Sequence, residues 1–567
     1  IFLSDTRWWR DLRLYFDSPV QRDYSGFAKV DYRANSALRL STQALYSLKR
    51  WRDYEFSWRF NLDGLPARSR DSYRLAAFLT HTISDNVFYT VSASRYFLKS
   101  TIGEGDKTAI DQTPFEYDFF LRYVVNGSRA WWAESRQTIS TLKADWTAIY
   151  RRFHILKAGG ELNFYDISGD ILKIEPQKTF YGKPKPDDPP LNFSTLYQFF
   201  PVTGSVYIQD KIETATDGAI LNIGLRYDFL DPRASRPAIE LIPKSDDEFE
   251  QDVIGSVLAK VKSQVSPRLG LALPVGNNWY VYVNYGVYFQ YPLFEYLYSG
   301  LTPVSLAKTV PALLGTPDLE PERSSARELS AKYLLANELV VSLTYFRKQS
   351  KNLIDTKTLI PSKARFAGDF GFAEFVNSPE ARTTGIELVL ARERGEFVTG
   401  SLSYTLMEVT GVADFAEQGL KFFEWGFPLF PKEYPLSWDQ RHTLKLIAEI
   451  QLPLGLSANL VAQYHSGRPF TLFPTKDGFT PLDSTRIFTP NNARMEDTML
   501  LDVKLFKGFV MGSQNPIRIW LYLDVRNLLD EKNVRWVDSN GRVGGQLGDP
   551  SAFDELRRTR VGIKVEL

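Results

Sequence analysis

An all-β chain that crosses a membrane on strands is what this sequence predicts, and three observations carry that expectation. Apolar residues alternate with polar ones along many short segments. The connections between those segments alternate between very short and very long. No run approaches the about 18 uninterrupted apolar residues that a membrane helix needs, which excludes a helical membrane protein. Composition agrees, because aromatics are 14% and charged residues 24% of the 567 residues, a chain rich in amphipathic rings without being uniformly apolar.

The alternation is cleanest in "WYVYVNYGVYFQ", where Trp279, Val281, Val283, Tyr285, Val287 and Phe289 share one face. Tyr280, Tyr282, Asn284, Gly286, Tyr288 and Gln290 share the other. In "LNIGLRYDF", Leu221, Ile223, Leu225, Tyr227 and Phe229 oppose Asn222, Gly224, Arg226 and Asp228, and "VTGSLSYTLM" and "RIWLYLDVRN" repeat the pattern. One apolar and one polar face suit a strand with lipid on one side and a polar lumen on the other.

A soluble sandwich also alternates, so the connections discriminate. Short turns are expected at 216–218, 274–278, 336–337, 394–396 and 453–455, and long connections at 166–202, 231–262, 291–324, 351–382, 411–440 and 467–498. Tight turns at one end and long loops at the other are the mark of an outer-membrane barrel. Strands are expected at 24–34, 37–49, 71–81, 87–98, 138–150, 153–165, 203–213, 219–229, 263–273 and 279–290. They continue at 327–335, 338–349, 384–393, 397–409, 441–452, 456–466, 499–508, 517–528 and 557–567, nineteen in all. With the last strand descending to the periplasm, the strand at Tyr24 descends too. Residues 1–23 are then an extracellular loop or an incomplete strand, and 24–567 the barrel.

"TPDLEPERSSARELSAKY", Thr316 to Tyr333, is composed of good helix formers, and its "SARE" has capping-box spacing. Pro317 and Pro321 forbid a regular helix through its first part, and Leu329, Ala331 and Tyr333 recur at a period of two. A strand entering at about Arg327 is the expectation.

This segment resembles a stretch of the TonB-dependent outer-membrane receptors, matching it at Pro317, Leu319, Pro321, Glu322, Glu328 and Leu329 and departing from it at Thr316 and Ser330. "FVNSPEARTTGIELVL" is similar to a strand entry of the same family, with Asn377, Ala381, Gly385 and Glu387 in place. "SWDQRHTLKL" (Ser437 to Leu446), of the kind found in the Oar-like branch, and "DVRNLLDEKN" (Asp524 to Asn533) resemble later strand boundaries. The C-terminal "RRTRVGIKVEL" resembles the family's closing strand, although that strand usually ends in an aromatic and this one ends in Leu567.

The resemblance implies a 22-stranded barrel filled by an N-terminal plug domain, with a short segment that recruits TonB. On that pattern this chain holds the last nineteen strands, with the plug and three strands upstream. A twentieth strand at "RWWRDLRLYF" is the alternative count. The closing strand is expected to pair with the barrel's first. The opening "IFLSDTRWWRDLRLYF" lacks the pattern of a signal peptide, so an export signal is expected to have been removed or to lie upstream.

The net charge of +1 lacks the basic excess of a nucleic-acid binder, and zero cysteines exclude disulfides and thiol chemistry. His81, His154, His442 and His465 are isolated, without metal-ligand spacing, and no catalytic or nucleotide-binding motif occurs. No enzyme activity and no cofactor are therefore expected. The acidic runs "KSDDEFEQD" (Lys244 to Asp252) and "KPDDPP" (Lys185 to Pro190) read as solvated loop charge, with loop-bound calcium as the alternative.

Candidate ligand-binding residues are the aromatics of two long connections: Tyr291, Phe294, Tyr296 and Tyr298 in "YPLFEYLYSG", and Phe422 and Trp425 in "KFFEWGFPLF". Girdle rings and loop-to-loop packing are the structural alternatives for the same residues. The function expected is TonB-dependent uptake across the outer membrane, with siderophore, vitamin, glycan and peptide ligands left open. Expected partners are outer-membrane lipid, TonB through a plug segment outside this chain, and a separate plug, N-terminal piece or surface lipoprotein. A scaffold or anchor barrel is the alternative. A soluble propeller is the third reading, although the roughly 40-residue repeat it requires is absent.

Overall fold

The computed structural model describes residues 21–109, 115–118, 120–151, 153–176, 190–214, 218–243, 249–301, 313–335, 338–359, 372–424, 432–472, 489–511 and 517–566. Within them a separate hairpin pairs Ser235–Pro243 with Phe249–Leu258 inside the connection expected at 231–262, and nineteen long strands build the main sheet. They are β1 (Gln21–Arg33), β2 (Leu38–Arg52), β3 (Ala67–Ser84), β4 (Val87–Ile102), β5 (Trp131–Tyr150), β6 (His154–Glu175), β7 (Val202–Glu213), β8 (Ile220–Asp231), β9 (Lys262–Val275) and β10 (Trp279–Gln290). β11 (Glu322–Leu334), β12 (Leu339–Leu359), β13 (Phe372–Arg392), β14 (Val398–Gly411), β15 (His442–Leu452), β16 (Leu456–His465), β17 (Thr498–Met511), β18 (Ile517–Arg526) and β19 (Arg558–Glu566) follow. Each long strand pairs antiparallel with the next in one continuous sheet.

Register carries the alternation from strand to strand. Val206 faces Tyr227, which faces Val265, and on the opposite side Tyr207, Arg226 and Ser266 make the polar row beside it. The apolar row stays bare: Val206 is 57%, Tyr227 41% and Val265 50% exposed. Water would not tolerate a contiguous wall of this kind, so it is the lipid face.

Short turns close one end, and their backbone meets the twist requirement of tight hairpins. In the turn after β15, Leu454 (φ 66°) and Gly455 (φ 69°) both take left-handed conformations. Leu454 is 88% exposed there.

The strand count agrees with expectation, but several strands are longer. β6 runs to Glu175 and β12 and β13 occupy 339–359 and 372–392, where connections were expected over 166–202 and 351–382. Apolar alternation stops where lipid stops, whereas the ladder continues as long as N–H and C=O groups find partners. Asp355, Thr356 and Lys357 still pair with Val376, Phe375 and Glu374 above the membrane. β11 likewise begins at Glu322 rather than Arg327, and β1 at Gln21 rather than Tyr24.

Among the described residues β1 bonds only β2, and β19 bonds only β18. The closing strand is therefore not paired with β1. The sheet nonetheless curls round, because connections near its two edges, at 54–58 and 536–551, line one cavity.

Candidate functional site at the extracellular rim

The β10–β11 connection opens with a short helix, α1 (Phe294–Tyr298), and carries four of the expected ligand-binding aromatics. The structure brings these four together as part of a loop core. Tyr298 is fully buried, stacks on Phe199 with ring centroids 4.4 Å apart, and donates its hydroxyl to the Pro232 carbonyl at 2.8 Å. Burial pushes that phenol well above its ordinary range. Tyr296 packs on Phe375 (4.7 Å) and Phe294 edge-on against Tyr165 (4.9 Å), while Tyr291 donates to the Phe229 carbonyl at 3.1 Å. Tyr291, Phe294 and Tyr296 are half-buried, so each keeps an accessible edge. Ile167, Ile171, Leu230, Leu314 and Ile354 complete this core, which ties the extracellular ends of β6, β8, β12 and β13 into one floor.

Phe422 belongs to a second helix, α2 (Gln418–Glu424), held on β12 by backbone donors: Gly419 N–H to Asp355 Oδ1 at 2.9 Å and Leu420 N–H to Thr356 Oγ1 at 2.8 Å. Burial raises the Asp355 pKa although the Gly419 and Thr356 N–H groups both donate to its carboxylate. Phe422 is buried and lines a cavity of about 220 Å³ with Phe415, Tyr434, Phe470 and Asn491. Trp425 lies outside the described residues.

A larger cavity, about 460 Å³, was not anticipated from the sequence. Tyr54, Trp58, Phe115, Tyr117 and Trp536 line it with Arg122, Arg129 and Asp538. Arg129 is 8% exposed, sits 5.1 Å from the Trp58 ring and 4.6 Å from the Trp131 ring, and donates through Nη2 to Glu55 Oε2 at 2.8 Å. Burial works against its charge, but the Glu55 carboxylate outweighs that and holds the proton more tightly than usual. The tryptophan-rich "FSWRF" and "RAWWAE", which interrupt the strand pattern, were the available signal.

The motif residues hold the rim together. Asn377 bonds the backbone of Glu320. Fully buried Asp439 of "SWDQRH" accepts from Val409 N–H at 2.7 Å and from Arg441 Nε at 2.9 Å, and it also binds Arg494. Asn533 of "DVRNLLDEKN" pairs with both backbone groups of Met499, each at 2.7 Å. Every one of these carboxamides or carboxylates satisfies backbone groups where a strand enters the barrel.

Below the rim the lumen opens as a cavity of about 750 Å³ lined by Lys143, Lys157, Tyr207, Arg226, Arg268 and Glu328. The four histidines are scattered, each with its own partner: Tyr89 for His81, Asp210 for His154, Tyr404 for His442 and Gln463 for His465. Of the two acidic runs, 185–189 and 244–248 lie outside the described residues.

A strand wall bare to lipid, polar within and roofed by packed loops defines a membrane β-barrel of the outer-membrane type. The chain belongs to the TonB-dependent receptor-like β-barrel family, whose model matches residues 7–528, and this places it in the bacterial outer membrane. A stretch of 97 residues is 39% identical to the iron-regulated outer membrane virulence protein of Vibrio cholerae, covering 16% of this chain and 15% of that protein. Among solved structures, the ferric enterobactin receptor of Pseudomonas aeruginosa aligns with 96% of this chain and 69% of its own, with TM-score 0.61 and 16% identity. The ferric-catecholate import receptor Fiu of E. coli K12 aligns with 96% of this chain and 74% of its own, with TM-score 0.57 and 15% identity. At such identities the likeness is one of fold.

Proposed function

We propose that this protein captures a ligand at its extracellular rim and passes it through the lumen, as a transporter energised through TonB. The observation that carries this reading is the stacking of the two sites: a floor of interlocked aromatic loops above a lumen lined with polar and charged side chains. In it, the accessible edges of Tyr291, Phe294 and Tyr296, together with Phe422 at its cavity and Trp425, meet the ligand, and buried Tyr298 supports them. The protein performs no covalent chemistry on its cargo.

TonB contact falls to a plug segment outside these strands, supplied upstream or as a separate piece, and a surface lipoprotein is a further partner. Three more strands between β19 and β1 belong to the same proposal. The two edges, unbonded among the described residues, support them, because a bare edge in hydrocarbon leaves N–H and C=O groups unsatisfied.

The first cargo to test is a ferric siderophore complex, the class to which two of the fold neighbours' names point. Uptake of radiolabelled iron as a ferric catecholate should fall to background when the gene is deleted, and again when the inner-membrane proton gradient is collapsed. Unchanged uptake across the candidate ligand classes, with a stable partner seated on the loops, favours the scaffold reading instead.

A further inference from the structure

The cavity of about 460 Å³ between the two edges of the sheet plays no part in passing cargo from the loop floor to the lumen, and none of the rim aromatics assigned to cargo lines it. Its volume falls in the range of about 300–1,000 Å³ that small-molecule sites occupy. Three connections build it: β2–β3, β4–β5 and β18–β19. Its floor is fixed, because Trp58 is buried, meets Phe115 edge-on with ring centroids 4.9 Å apart, and lies 5.1 Å from the Arg129 guanidinium. Two contacts with Glu55 neutralise that cation.

The β18–β19 connection is shaped in advance for this wall. Gly544 (φ 72°), Gly545 (φ 64°) and Gly548 (φ 60°) take left-handed conformations, and the Asp549 N–H donates to the Gly544 carbonyl at 2.9 Å, so 544–549 turns back on itself. A Cβ on Gly545 would lie 3.6 Å from the Trp536 ring, which places the turn against that indole. Trp536 and Tyr54 are exposed and keep accessible ring faces.

Beside those rings the polar groups are mostly acceptors. Gln546 Oε1 is buried without a hydrogen-bond partner among the described residues. Asp538 Oδ1 receives the Asn540 and Arg542 N–H groups, each at 2.9 Å, and Asp549 Oδ1 receives the Ser551 N–H at 2.8 Å. The second oxygen of each carboxylate stays open among the described residues. An acceptor held away from water is costly unless a donor reaches it, so the fitting occupant is rich in donors. Three carboxylates, of Glu55, Asp538 and Asp549, against two guanidinium groups, of Arg122 and Arg129, leave the lining with one net negative charge. That charge disfavours a multiply anionic ferric catecholate or a phosphate, and the guanidinium groups disfavour a cation.

We propose that this cavity binds a neutral oligosaccharide at the cell surface. One sugar ring lies with its C–H face on Trp536, where the negative face of the indole meets the weakly positive hydrogens. Its hydroxyls donate to Gln546 Oε1 and to the open oxygens of Asp538 and Asp549, and Arg122 donates to a sugar oxygen. Rings for the apolar face and a few placed acceptors for the hydroxyls are the two parts such a ligand requires. The site is independent of the cargo reading, because it holds sugar whether the barrel transports or serves as a scaffold.

The test uses the whole protein, extracted from outer membranes into a detergent without a sugar headgroup and titrated calorimetrically with maltohexaose, cellohexaose and mannohexaose. Hexagalacturonate, a ferric catecholate and a neutral hexapeptide are the acidic, cargo-like and peptide counterparts. At least one neutral hexasaccharide should bind, and hexagalacturonate should bind at least tenfold more weakly. W536A should lower the saccharide affinity at least tenfold, with heat-modifiable gel migration confirming that the barrel has formed. Q546L gives a second reading that does not threaten the fold, since it removes an unpaired oxygen: saccharide affinity should fall at least threefold while stability holds or rises, whereas a merely structural glutamine leaves binding unmoved. The proposal is overturned when none of the three saccharides binds, when W536A and Q546L both bind as tightly as the native protein, or when hexagalacturonate, the ferric catecholate or the peptide takes the cavity in preference.

Discussion

The Asn377 carboxamide pairs with both backbone groups of Glu320: the Glu320 N–H donates to Oδ1 at 2.8 Å, and Nδ2 donates to the Glu320 carbonyl at 2.8 Å. Nδ2 also lies 3.2 Å from the Asn352 carbonyl. One side chain therefore stands in for a ladder rung between the β10–β11 connection and β13. Asn377→Ala removes this rung and is expected to destabilise the segment by about 1–3 kcal/mol. Hydrogen exchange should accelerate at 316–321 before it changes in the transmembrane ladder.

Asp439 carries a heavier burden, being fully buried with two arginines and one backbone N–H converging on it. Asp439→Ala leaves those cations without a counter-charge and should cost about 3 kcal/mol or more. Asp439→Asn keeps an acceptor for the Val409 N–H and should cost less. Denaturant unfolding of the two variants side by side reads the difference between losing the charge and losing the side chain.

At the loop core the hydroxyl and the ring of Tyr298 are separable. Tyr298→Phe forfeits only the bond to Pro232, about 1 kcal/mol, whereas Tyr298→Ala empties a fully buried site at about 3–5 kcal/mol. Limited proteolysis of intact cells should cleave the β10–β11 connection readily in the second variant and little in the first.

The seat of α2 depends on one glycine. A Cβ at Gly419 would lie 1.9 Å from the Thr356 carbonyl oxygen, a backbone atom with no side-chain freedom to yield. Gly419→Ala should lift α2 from β12 and expose Phe422 to added quencher or probe. If ligand contact passes through Phe422, affinity drops in the same variant while the barrel stays heat-modifiable.

Acid should loosen a different tie. Asp318 accepts from Lys262 Nζ at 2.9 Å and from the Lys260 N–H at 3.1 Å. Burial works to raise its pKa, but those donors outweigh it and hold the carboxyl below its ordinary value of 3.8. A depressed folded-state pKa contributes stability above the ordinary value and loses it as pH falls through the folded one. Exchange at 313–321, corrected for intrinsic rates, should be flat from neutral pH down to about 5 and rise below about 4. Lys262→Met should remove most of that acid dependence.

Much of the barrel was legible because lipid imposes a period of two on every strand it touches. All nineteen strands of the main sheet fall on expected segments, with β10 at 279–290 matching at both ends, whereas the hairpin at 235–243 and 249–258 formed where a connection was expected. Where lipid stopped, so did the signal: β12 continues to Leu359 through Lys351, Asp355 and Lys357, residues whose pattern carries no strand period. The segment at 316–333, helical by composition, became strand from Glu322 because β10 and β12 offer ladder partners on both sides.

What the sequence by itself determined is therefore the wall: alternation sets which side chain meets lipid and which meets the lumen, one residue at a time. Only the tertiary structure decided the rim. Tyr298 meets Phe199, Asn377 meets Glu320, and Arg129 meets Trp58 across separations that no local period encodes. Loop residues are brought together by the strands beneath them, so their partners emerge once the sheet has curled and its long connections must bury their own apolar side chains and satisfy their own backbone.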